Sequence, residues 1–391
     1  MPSLCLCFLT RTHLRLREFS YFDIGQACDY VDADATREAV RDAADSYRSI
    51  NRLLNQLGHD HPGRFAAACA VSGVALDLLD QHAPDVIQEW RALAHEDILE
   101  LLNTPYYDSL AGLFSPHEFK EQLQSHQRRI RALAGHTPRT CINPGLVYTN
   151  GIAALASEVH CTAVLAEGAD HALGWRSPNY LFRPAGAPHI RCLLRNPHLS
   201  DQLFSRATPP DADEWLLSAD RFAAAIHEIN TGDEVITLLA PAEEIGRRLA
   251  ADADYAAFFR ALPGAVLHHP NCRFRTPAEA AKRYAPLAEL DIPAATSCVG
   301  ADKDLTPWLG NEMQKDASAT LFGLEHKVRR NGRPEMLQTW RLLQCADHFR
   351  RMAASPSGPP AASPYDAYIH YMNILVDFTA LLDARSGDEG R

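Results

Sequence analysis

The sequence contains no apolar run near the roughly 20 residues that a membrane-spanning helix requires. Its apolar stretch from Leu4 to Leu9 is too short for a secretory leader and follows no basic residues. Neither a membrane span nor a leader is expected. Ten cysteines are present, but no Cys-x-x-Cys pair and no repeated spacing. A zinc ribbon and a disulfide framework are therefore not expected, and single thiols within apolar runs read as reduced and buried, which points to the cytoplasm. Basic residues are the scarcer charge: 38 Lys and Arg against 49 Asp and Glu leave −11 at pH 7, with 18 His counted neutral. Nucleic acid and anionic membrane surfaces would be repelled by such a chain. There is no Gly-rich phosphate loop, no Gly-x-Ser-x-Gly elbow and no catalytic cysteine signature, which removes support for nucleotide and acyl-transfer chemistry. No cofactor is implied, and neither internal repeats nor coiled-coil heptads occur.

What the 391 residues do contain is alternation. Strands are expected at residues 4–9, 65–71, 98–102, 139–142, 162–166, 190–194, 234–239 and 265–268, with helices at 34–57, 84–95, 116–134, 152–158, 219–228 and 252–261. Asp34 and Gly58 are the expected start and stop of the first helix, and Ser115, Pro116 and Glu118 form a cap, a first-turn proline and a capping-box glutamate. Repeated strand–helix units over roughly 270 residues suit a (β/α) barrel better than an open sheet. Beyond residue 290 the pattern becomes helical at 307–328, 334–353 and 364–382, with a Pro/Ser/Gly loop from Ser355 to Pro364. The expected organisation is an α/β barrel over 1–290, a three-helix bundle over 291–384 and a frayed tail over 385–391.

In a parallel barrel the chemistry lies at the C-terminal ends of the strands. Those positions hold Arg11 and His13, then Glu100 with Tyr106, Tyr107 and Asp108, then Asn143 and Gly145, Glu167, Pro241 with Glu243 and Glu244, and finally His268 and His269. Carboxylates interleaved with aromatic faces suit a carbohydrate cleft. His59 and His61 flank Asp60 with metal-ligand spacing, but they follow a helix stop and no third ligand is near in sequence, so a solvated turn is expected and no metal.

Read as words, these segments resemble the α-amylase-like branch of glycoside hydrolase family 57. The resemblance rests on Leu4-Cys-Leu-Cys-Phe8, Tyr21-Phe-Asp-Ile-Gly25, Tyr106-Tyr-Asp-Ser-Leu110, Glu167-Gly-Ala-Asp170, Arg176-Ser-Pro-Asn-Tyr180, Asp304-Leu-Thr-Pro-Trp-Leu-Gly-Asn311 and Asp347-His-Phe349. It runs in order from residue 4 to about 378. It implies an incomplete, seven-stranded barrel of the (β/α) type followed by a helical bundle. It also implies retaining chemistry on α-glucans with one carboxylate as nucleophile and one as acid/base.

The departures fall on that chemistry. The resemblance places the nucleophile at Gly145, within Asn143-Pro-Gly-Leu146, and the acid/base at Pro241, within Pro241-Ala-Glu-Glu244. Arg11 and Cys298 also replace family cleft residues. Gly145 cannot attack an anomeric carbon and Pro241 has no proton to give. Glu243 is a fallback: two residues on in an extended segment, it would face the same side as Pro241. Glu167, which the family keeps beside its nucleophile, is the other. The leading expectation is an inactive homologue that binds an α-glucan or oligosaccharide, or serves as an inactive partner in carbohydrate metabolism. Glu100, Tyr107, Asp108, Trp175, Trp308 and His348 are the expected ligand contacts, with a helix–barrel hydrogen bond as the equal alternative for His348. The rivals are an active retaining enzyme with relocated carboxylates and a protein-interaction scaffold with a closed cleft.

Overall fold

The computed structural model describes residues 3–26, 28–204, 218–229, 234–353 and 363–386. Alternation along its first strand already divides the molecule into layers. In β1 (Ser3–Leu9), Leu4, Leu6 and Phe8 pack outward, whereas Cys5 and Cys7 point inward. Six parallel strands follow: β2 (Ala67–Ala70), β3 (Leu99–Leu102), β4 (Thr140–Cys141), β5 (Ala163–Glu167), β6 (Arg191–Arg195) and β7 (Val235–Pro241). Each pairs with its neighbour in order, and β7 returns to β1 with Leu9 opposite Pro241. Between β3 and β4 the backbone pairing among the described residues is a single parallel bridge from Asn103 to Cys141, beside which the Thr140 hydroxyl donates to Glu100. The result is the expected seven-stranded parallel barrel, nearly closed. Small side chains (Cys5, Cys7, Ala68, Ala70) share its interior with Leu165, Leu193 and Leu239, so the centre is packed rather than hollow.

Two outer layers cover the barrel. The helix Ala33–Asp60 buries Val40, Tyr47, Ile50, Leu54 and Leu57 against β1 and its neighbours. Its cap is Asp32, whose carboxylate accepts from the Ala35 N–H, and not Asp34; Gly58 lies inside the helix. Helices Gly73–His82 and Ala242–Ala251 were not anticipated. The second approaches so closely that a Cβ on Gly246 would stand 2.1 Å from the Ser46 carbonyl oxygen. The strand expected at 265–268 is the last turn of the helix Ala253–Leu267. Tyr255, Phe259, Leu262 and Val266 recur there at helical spacing, so the helix carries through Pro263. The strand that follows is Arg273–Phe274, paired with the start of β1.

After residue 290 the three expected helical patterns resolve into six segments: Thr306–Leu309, Glu312–Gly323, Glu325–Asn331, Pro334–Leu342, Ala346–Arg350 and Pro364–Ser386. Asn311 starts the second by capping Gln314, and left-handed Gly332 ends the third. The loop expected around Ser355 lies at 354–362, outside the described residues. So does the tail from residue 387; residues 385 and 386 still belong to the last helix.

One ion cluster fastens this helical region to the barrel. The helix Pro116–Ala134 is capped by Ser115 at the Glu118 N–H, but the Glu118 side chain turns to the C-terminal helices. Its fully buried carboxylate accepts from Arg341 Nε at 2.7 Å, Arg329 Nη2 at 2.7 Å and Gln122 Nε2 at 2.8 Å. Glu121 binds both arginines from the rim. Removing the central carboxylate leaves two half-buried guanidinium groups with only the outer partners Glu121 and Glu325, so Glu118→Ala is expected to lower unfolding free energy by about 3 kcal/mol. Lys120→Ala, which removes the exposed Lys120–Glu158 pair, should cost less than about 1 kcal/mol. Urea denaturation of the two variants is the check; equal small losses would show that Glu118 does not fasten the layers.

Candidate functional site

Period-two alternation carries Leu9, Glu167, Arg195 and Pro241 to the top of the inward rows of β1, β5, β6 and β7. A cavity of about 340 Å³ opens above them. Arg11, Asp108, Gly145 and Pro241 line it from the barrel, and Trp308, Asp347 and Arg350 line it from the C-terminal helices. Gly145 and Pro241 thus line one cavity at the C-terminal face.

The turn holding Gly145 is tight. Leu146 N–H donates to the Asn143 carbonyl at 3.0 Å and Val147 N–H to that of Pro144 at 3.1 Å, and Gly145 and Leu146 both have positive φ (58° and 56°). The space above Gly145 is taken by Trp308. A Cβ at Gly145 would stand 2.3 Å from Cη2 and 2.7 Å from Cζ2 of the indole, distances that no side chain tolerates. The Gly145 carbonyl accepts from Cys298 N–H at 2.8 Å, which pins the facing segment. Trp308 is only 2% exposed. It fills this space and does not present the open platform expected of it.

Pro241 ends β7 and serves as N-cap of Ala242–Ala251, so Glu243 lies in the first turn of a helix and not in an extended segment. Its Oε1 accepts from Arg11 N–H at 2.7 Å and Tyr47 O–H at 2.5 Å and stands 3.1 Å from His13 Nε2. Burial pushes this carboxyl upward, but His13, Tyr47 and the Arg11 amide outweigh it and hold it below the usual range. Glu167 is buried against Arg195 Nη1 at 3.1 Å, with Lys303 Nζ at 3.9 Å. Burial raises its pKa against the pull of those cations. Asp108 accepts from the Thr12 hydroxyl at 3.0 Å, yet burial and the nearby charge of Asp347 push it up to about 7.

The remaining expected contacts lie elsewhere. Glu100 faces inward near the opposite end of the barrel, accepting from Thr140 Oγ1 at 2.6 Å and Ala278 N–H at 3.0 Å. It lines a different cavity, of about 700 Å³, at the N-terminal ends of the strands. Tyr107 packs under the Arg341 guanidinium, 6.0 Å from the ring centroid. Trp175 is 95% exposed and does not line the mouth. His348 is buried, with Nε2 3.3 Å from the Leu342 carbonyl oxygen, and burial lowers its pKa to about 4; it makes a contact within the helical region. His268 caps a helix end, and among the described residues no group of three metal-binding side chains includes His59 and His61. Asp347 and Arg350 were missed as site residues. Their signal was present, because i and i+3 share a face in a helix beginning at Ala346.

Comparison with known proteins places this geometry. Residues 8–293 match the family model described as glycosyl hydrolase family 57. A putative α-amylase of Methanocaldococcus jannaschii is 28% identical over 370 residues, covering 89% of this chain and 78% of that protein. The branching enzyme of Thermococcus kodakaraensis superposes with a TM-score of 0.70 at 12% identity, over 98% of this chain and 94% of that one. The 4-α-glucanotransferase of Thermococcus litoralis gives 0.67 at 12% identity over 89% of this chain, which spans 55%, about half, of that enzyme's length.

The raised pKa of Asp108 has a sign that can be checked. Between the ordinary aspartate value and about 7 the folded state binds the extra proton, so this group lowers stability as pH rises through that window. Asp108→Asn is expected to match the wild type near about pH 4 and to exceed it in thermal midpoint near about pH 8. A difference that does not grow with pH would count against the buried-acid assignment.

Proposed function

The chain belongs to glycosyl hydrolase family 57, and we propose that it is a catalytically silent member that binds a carbohydrate at the barrel mouth without cleaving it. Retaining cleavage needs two carboxyl groups about 5–5.5 Å apart across the scissile bond. In this reading Gly145 and Pro241 stand at the nucleophile and acid/base positions, as the sequence words imply. The observation that carries it is the buried Trp308 indole, which occupies the space a nucleophile side chain on residue 145 would need.

The other carboxylates do not offer a substitute pair. Glu243 is committed to His13 and Tyr47, and Glu167 to Arg195. Asp108 and Asp347 both line the cavity, but Ala346 N–H donates to the Asp108 carbonyl at 2.9 Å and Ser109 bridges to Cys345. The two acids therefore stand together on one wall instead of flanking a bond. Against a closed scaffold stands the cavity itself, which at about 340 Å³ lies within the range of small-ligand sites.

The purified protein is expected to show no hydrolysis or transfer with soluble starch, maltooligosaccharides or activated α-glucosides. Turnover that survives repurification and disappears in Glu243→Gln would sink the proposal in favour of relocated carboxylates. Restoration supplies a second check. Gly145→Glu with Pro241→Asp should remain silent, because a glutamate at 145 meets the indole. Adding Trp308→Gly should permit trace glucan cleavage, and each single change should not, since the two carboxyl groups act as a unit. Cleavage by the double variant with Trp308 intact would show that the indole does not block the position.

A further inference from the structure

We propose that the mouth cavity recognises an anionic carbohydrate, a sugar bearing a phosphate or carboxylate group, through Arg11, Arg195 and Arg350. This rests on reading the mouth as a carbohydrate site. The chain as a whole carries −11, yet three separate elements send arginine to this one cavity: the segment after β1, the end of β6 and the helix Ala346–Arg350.

Their surroundings divide the roles. Arg195 is fixed by buried Glu167 and by Asp201, so its guanidinium is oriented before any ligand arrives. Arg11 is exposed and Arg350 half-buried, and among the described residues neither side chain has a salt bridge or hydrogen bond that would occupy it. Lys303 stands at the edge, with Nζ 3.4 Å from the carbonyl oxygen of the cavity residue Cys298. Arg15 and Arg351 lie close enough to depress the Arg15 pKa together with burial. Opposing them in the cavity lining are Asp108 and Asp347, and burial raises Asp108 to about 7, so part of its charge is lost near neutral pH.

A neutral glucan offers such a site only hydroxyl groups. It leaves the guanidinium groups of Arg11 and Arg350 to be partly desolvated with only Asp108 and Asp347 as counter-charges in the cavity lining. A phosphate or carboxylate offers a pair of charged oxygens, the two-point partner that arginine binds best. The low-dielectric wall formed by Trp308, Val299 and Leu239 strengthens that attraction relative to open water.

Isothermal titration of the full chain with maltotriose, glucose 6-phosphate, glucuronate and inorganic phosphate tests this. Glucose 6-phosphate or glucuronate is expected to bind at least about tenfold tighter than maltotriose, and the tighter of the two identifies the anionic group. Affinity should fall as salt is raised, as charge-driven binding requires. Arg11→Gln and Arg350→Gln should each weaken it at least about fivefold, whereas Arg128→Gln, on the outer helix Pro116–Ala134, should leave it unchanged. Maltotriose binding as tightly as the anionic sugars, or affinity indifferent to both arginine variants, overturns the anionic assignment and leaves carbohydrate binding in place. Inorganic phosphate binding as tightly as glucose 6-phosphate overturns the sugar component. Absence of binding by all four overturns both readings.

Discussion

The mouth of this barrel is assembled from two regions far apart in sequence, and a buried carboxylate holds them in register. Glu118 sits on the helix between β3 and β4, and its two arginine partners come from helices beyond residue 320. Burying a charge this completely is tolerated only because Arg329, Arg341 and Gln122 satisfy it. The same clasp brings the segments carrying Trp308, Asp347 and Arg350 over the strand ends. Without it the seven strands would present an open rim whose charged lining is Arg11, Asp108 and Arg195.

Much of the barrel was legible because its strands are short apolar runs and its first covering helix has a wide apolar face. What escaped notice did so for physical reasons. The helix Ala242–Ala251 begins directly at Pro241 with no intervening polar cap, so the residues after the strand read as loop. That error placed Glu243 in the cleft, whereas helical geometry turns it toward His13 and Tyr47. Glu100 was grouped with the mouth residues although it lies within its strand; its position second in β3 puts it at the bottom of the barrel. Trp308 and Asp347 were visible as words, but nothing local to either says which strand end it covers. That information resides in tertiary contacts such as the Cys298–Gly145 hydrogen bond.

Under the proposed silent reading, the cavity exchanges one kind of chemistry for another. A pair of reactive carboxylates would be partly neutralised by the arginines around them. With glycine and proline at residues 145 and 241, Arg11 and Arg350 have only Asp108 and Asp347 as counter-charges in the cavity lining, and partial protonation of Asp108 leaves a positive excess. Glu167 and Glu243, each already matched to a basic neighbour, do not relieve it. Sequence identity with relatives of the same fold therefore says less about what this mouth attracts than the sign of the charge left unbalanced there.

The indole over Gly145 carries a historical consequence. Under the proposed silent reading, an aromatic ring settled above a residue with positive φ is an obstacle that the return of any side chain to residue 145 would meet. The order of substitutions then matters: the ring must shrink before the position can be refilled, and shrinking it first opens a void in the packed helical layer around Trp308, Leu321 and Trp340. Both first steps are uphill. In that reading the contact would act as a ratchet, holding the position at glycine for as long as the ring stays in place.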